Sequence, residues 1–191
     1  MKHVAGLAAS AILFASPAFG AVTITAEEVG NDVVLTGSGT LDLGAWTFAG
    51  AGQIDAFILN DGVAVGPSMP INVFGAPVNF SGPLTIPGIM ATTATSGTGD
   101  FFGLVFGTIP AQRQLAVPVG YVSGDPLSGT ATFANESFAS IGLTLGSTTW
   151  TWGTPGVDAD SLTFTVVPGP GGLAFLTVAG VFGRRRRRRN A

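Results

Sequence analysis

The chain has 191 residues, 46% of them apolar and only 10% charged, and it contains no cysteine. All eleven acids and one cation, Arg113, lie within residues 21–183, a net charge of about −10 that repels phosphate backbones and excludes the usual footprint of a nucleic-acid binder. The missing cysteine excludes disulfides, zinc–thiolate and iron–sulfur sites, and thiol catalysis.

The first segment reads "MKHVAGLAASAILFASPAFGAV". Lys2 and His3 form a short basic start, and residues 4–15 are apolar and alanine-rich. Ala18 and Gly20 then place small side chains at the −3 and −1 positions of a cleavage between Gly20 and Ala21. This three-part pattern predicts a signal peptide over 1–20, too short to span a membrane stably.

Residues 21–166 read as one exported all-β domain, an antiparallel sandwich or jelly-roll-like fold. Val, Thr and Leu dominate short segments separated by Gly, Pro, Asn and Asp. "GSG" at 37–39 predicts a hairpin between strands 32–36 and 40–43. Further strands are expected at 54–59, 72–74, 101–106, 120–122, 129–133, 149–152 and 162–167. Residues 83–100 are expected as a long loop or a weak edge strand. A short helical turn is expected at 136–141, with Asn135 as its N-cap. No long 3.6-residue apolar pattern appears in this domain.

The last segment, "VPGPGGLAFLTVAGVFGRRRRRRNA", begins at Val167. Residues 171–183 carry no charge, and as a helix they cover about 20 Å. Pro170 suits a first helical turn, and arginine stems can snorkel at the far end. From 170 to 189 one helix would match the membrane core, about 30 Å. The cluster Arg184, Arg185, Arg186, Arg187, Arg188 and Arg189 would stop it on the cytoplasmic face. Lys2 also stays inside by the same rule, so both ends place the acidic domain outside.

This ending resembles the PEP-CTERM sorting signal of Gram-negative bacteria. Val167, Pro168, Gly169 and Pro170 occupy the motif, residues 171–183 the hydrophobic stretch and the six arginines the basic cluster. Gly169 stands where that family most often has glutamate. The resemblance implies secretion machinery and an exosortase as partners, with transient inner-membrane anchoring and removal of the tail. It further implies a final place in the cell envelope or outside the cell, near extracellular polysaccharide. Residues 120–153 also resemble a segment that recurs in small exported proteins of this type.

Little in the domain points to catalysis. Residues 21–183 hold no His, Cys or Lys, which excludes Ser–His–Asp, Cys–His and Ser–Lys arrangements there. Acids such as Asp32, Asp61, Asp100 and Asp125 sit beside turn-forming residues, the common place for them. Asp158 and Asp160 in "GVDADS" offer oxygen ligands suited to calcium, without the spacing of the twelve-residue calcium loop. Trp150 and Trp152 share one face of a strand. If wet, that face is a sugar-stacking platform; if dry, it is core. The expectation is an exported envelope or matrix protein of structural or interaction type, not an enzyme and without a cofactor. The alternatives are an exopolysaccharide-binding module using Trp150 and Trp152 and, remotely, a carboxylate-dependent hydrolase.

Overall fold

Alternation of apolar and polar side chains runs through β1 (Ala21–Val29), β2 (Asp32–Thr40), β11 (Pro126–Phe133), β12 (Gly146–Trp152) and β13 (Asp160–Val166). Such a period of two buries one face of a sheet and wets the other. Val22, Ile24, Val33, Leu35, Ala131, Phe133, Leu162 and Phe164 accordingly point inward and are buried. The computed structural model describes residues 20–86, 88–105 and 113–169. Its other strands are β3 (Thr47–Ile54), β4 (Phe57–Leu59), β5 (Gly62–Val65), β6 (Met69–Gly75), β7 (Thr92–Thr93), β8 (Ser96–Gly99), β9 (Phe102–Val105) and β10 (Gln114–Pro118).

Two sheets result, with strand orders β12-β13-β1-β2-β11-β8 and β3-β6-β10-β9-β5-β4-β7. The all-β, sandwich-like expectation holds. Its antiparallel form needs one correction: β1 and β13 pair in parallel, with Val22 opposite Leu162. Parallel neighbours need a long crossover, and here nearly the whole domain lies between the first and last strands. Among the described residues no helix is long and apolar enough to cross a membrane. The expected signal helix and the C-terminal span lie outside the described residues.

The "GSG" stretch is not a turn. Gly37 and Gly39 lie within β2, and the β1–β2 hairpin turns earlier, at Gly30 and Asn31. A Cβ on Gly37 would approach the Phe102 ring to 2.7 Å and the Val65 side chain to 2.8 Å. Glycine here lets the two sheets meet closely, a common meaning of glycine inside a strand. Residues 54–59 are likewise not one strand, because Asp55 and Ala56 separate β3 from β4. Residues 120–122 form part of a turn, with Gly120 and Gly124 at positive φ. In that turn the Tyr121 hydroxyl accepts from the Leu41 N–H at 2.8 Å and lies 2.9 Å from Leu41 O and 3.0 Å from Asp125 O. β5 and β10 escape a reading by alternation because consecutive residues in each are buried.

The edge strand expected within 83–100 is present as β8, which ends the six-stranded sheet. The helical turn is α1 (Phe138–Ile141), but Ser137 rather than Asn135 is its N-cap. Ser137 and Ser140 form a reciprocal capping box, while Asn135 turns the chain just before it with φ 59°.

Candidate functional site

Trp150 and Trp152 do share one face of β12, and that face is dry. Their side chains are 0% and 3% exposed. The Trp150 indole N–H donates to Pro83 O at 2.8 Å. Trp152 stacks on Phe80 at 5.9 Å between centroids and meets Trp46 edge-on at 5.2 Å. Arg113, the one cation among the described residues, is buried with its guanidinium carbon 4.5 Å from the Phe80 ring centroid. The sugar-stacking platform is therefore corrected: the ring faces are occupied by core neighbours and none is open to a ligand.

Six of the acids are tied up in backbone hydrogen bonds. Glu28, Asp32, Asp42, Asp100, Asp158 and Asp160 each accept a backbone N–H. Asp158 takes the Thr154 N–H and closes a turn, whereas Asp160 takes the N–H groups of Asp42 and Ser161. The two carboxylates proposed for calcium thus serve separate backbone groups. Among the described residues no group of three acids or histidines converges to hold a metal ion.

Asp160 is nonetheless unusual. It is 5% exposed, and burial pushes its carboxyl up to about 6, helped by the nearby charge of Asp42 and opposed by its two N–H donors. Raising a carboxyl in the folded state means that the folded chain binds more protons than the unfolded one in this interval. Stability therefore falls as pH rises from about 4 through about 6. In the chain that retains residues 1–20, urea midpoints are expected to decline over this interval. Asp160→Asn should flatten that slope; an equally steep slope in the variant would refute the assignment.

The two processing points expected from the sequence fall at opposite ends of the β1–β13 pair. Gly20, with φ 43°, precedes β1 and has the Asp160 carboxylate directly against it. At the other end the Val167 N–H donates to Ala26 O at 3.0 Å, prolonging the pairing beyond β13. Gly169 is buried, and a Cβ there would collide with the carbonyl of Glu28. Pro168 and Gly169 line an open cleft of about 710 Å³, shared with Glu28, Phe138, Leu143 and Leu145. Pro170 and Arg184 to Arg189 lie outside the described residues.

A surface feature escapes the sequence reading. The registers place Ser147, Thr165, Thr25, Thr36, Thr130 and Thr98 opposite one another in turn, one hydroxyl on each of the six strands. A second row holds Thr149, Thr163, Thr23, Ser38 and Ser128. Neighbouring hydroxyls touch at 2.6 Å (Ser147–Thr165), 2.7 Å (Thr98–Thr130) and 3.0 Å (Thr149–Thr163). Threonine is favoured on exposed strands generally; what goes further is that neither row contains a charge. The signal in the chain is the repeated T-x-T of "TIT", "TAT", "TWT" and "TFT". Only the strand register turns these separate repeats into rows.

Comparison of the chain with protein-family models, curated proteins and solved structures finds no match.

Proposed function

We propose that this is an exported, non-enzymatic protein of the cell envelope or extracellular matrix, whose six-stranded sheet presents two uncharged rows of hydroxyls to extracellular polysaccharide. The observation that carries the reading is the uncharged row from Ser147 to Thr98 across the whole sheet. Such rows exchange hydrogen bonds with a hydroxyl-rich polymer without desolvating a charge. The polymer-binding alternative thus moves from Trp150 and Trp152 to the opposite face of the sheet. Delivery is by a signal peptide cleaved between Gly20 and Ala21, followed by exosortase sorting through the C-terminal signal. The tight seat of Gly169 supports glycine as the residue this fold accommodates where the signal more often carries glutamate.

Two measurements test the reading. Deleting residues 184–189 and fractionating cells is expected to leave unprocessed protein in the inner membrane; normal processing and release would refute the sorting mechanism. Purified protein is expected to cosediment with the host exopolysaccharide, and Thr25→Glu with Thr36→Glu to lose at least half of that binding while remaining folded. Equal binding by the double variant would refute the hydroxyl face.

A further inference from the structure

Asp160 has an acidic neighbourhood and no described cation to answer it. Asp42 follows β2, Asp158 precedes β13, and Tyr121 with Asp125 belong to the turn after β10. Arg113 is committed to Phe80, whose carbonyl accepts from its Nη1 at 3.2 Å. A buried carboxylate without a cation is costly, and a chain normally neutralises it or supplies a partner.

The partner is one bond away from existing. A Cβ on Gly20 would fall 2.6 Å from Asp160 Oδ1 and still nearer Oδ2, so the carboxylate lies within about 4 Å of the Gly20 Cα. The Ala21 nitrogen is two bonds further along. Ala21 itself is held in place, paired with Thr40 of β2, while Val22 pairs with Leu162 of β13. Cutting the peptide bond before Ala21 removes Gly20 from the carboxylate and leaves the nitrogen where it was.

We infer that Asp160 is the receptor for the N-terminal ammonium created by removal of the signal peptide. The inference rests on the cleavage between Gly20 and Ala21 adopted above. Water adds across that amide: Gly20 departs as a carboxylate on the leader, and both protons of the water end on the Ala21 nitrogen. The resulting ammonium faces the space that Gly20 vacates and pairs across it with Asp160, beside Asp42. Export thereby converts an unfavourable buried acid into an ion pair that clamps β1 to β13. The raised proton affinity of Asp160 in the uncleaved chain is consistent with this.

The chain makes the test clean, because its one lysine, Lys2, leaves with the leader. The processed protein then carries a single amine. Full-length protein is expressed in an exporting Gram-negative host and recovered after export, and its first residue is read by N-terminal sequencing. Its amine is then labelled with an amine-specific acylating reagent across pH 6–10, folded and in urea. The expected result is Ala21 first, with labelling near pH 6 slowed about tenfold and near pH 8 about fivefold in the folded protein, the effect of a pKa raised by about one unit from the ordinary 7.7–8.0. Asp160→Asn should restore the faster rate. A first residue other than Ala21 overturns the cleavage and the ion pair together. Ala21 first, with equal rates folded and unfolded, overturns the ion pair alone; this comparison needs no variant and holds even if Asp160→Asn fails to fold.

Discussion

Replacing Trp150 by alanine is expected to cost about 3–5 kcal/mol of stability, the range for emptying a fully buried aromatic site. Three features put it there. The side chain is 0% exposed, its indole N–H holds Pro83 O, and a Cβ on Gly82 would come within 2.5 Å of its ring. The segment 81–83 is therefore laid directly over the indole. Ser81 and Thr151 fasten it with two reciprocal backbone bonds, of 2.8 and 2.9 Å. Alanine would leave a cavity that this short segment has little freedom to fill. Trp150→Phe keeps most of the volume and gives up the hydrogen bond, for a loss of about 1–2 kcal/mol. Urea denaturation followed by circular dichroism checks both variants. An unchanged midpoint for Trp150→Ala would mean that the ring is not in the core.

Gly37→Val is expected to be the second severe change, costing about 1–3 kcal/mol or more as an overpacked contact. Its first added carbon already meets Phe102 from the other sheet, and the branches would enter Val65. Both neighbours are fully buried, so neither can swing aside into solvent. Gly52 on β3 provides the control, since an added Cβ there meets nothing within 4 Å. Gly52→Ala should leave the urea midpoint within about 0.5 kcal/mol of the parent or raise it. Were "GSG" the tip of a hairpin, Gly37→Val would be tolerated like any exposed turn change; equal midpoints for the two variants would favour that view.

The same glycine shows what a linear reading can reach. Strands of the six-stranded sheet were legible because one face is wet, so apolar and polar residues alternate. The seven-stranded sheet was less so. β5 and β10 are buried at successive residues, and β3 is exposed at nearly all of them, so neither environment writes a period of two. A glycine pair in a strand reads as a turn unless the opposing sheet is known. The tryptophan spacing placed Trp150 and Trp152 on a common face correctly, but which face is dry depends on Phe80, Trp46 and the 81–83 segment, far away in the chain. The hydroxyl rows and the meeting of Gly20 with Asp160 were hidden for the same reason. Each joins residues through strand register, which no local pattern encodes.

The parallel pairing of β1 with β13 has a mechanical consequence. The chain enters the domain beside Asp160 and leaves it beside Ala26, at opposite ends of two adjacent strands. Were the protein held through its tail, as the proposed sorting implies, while a polymer pulled on its surface, the load would enter at the end of β13. Hydrogen bonds of a sheet run across the strands. Sliding β13 out would load its bonds to β1 and β12 together, instead of opening them one after another from an end. The tail is attached where the sheet resists tension in shear, and an ammonium paired with Asp160 would add a further grip at the far end of the same strand.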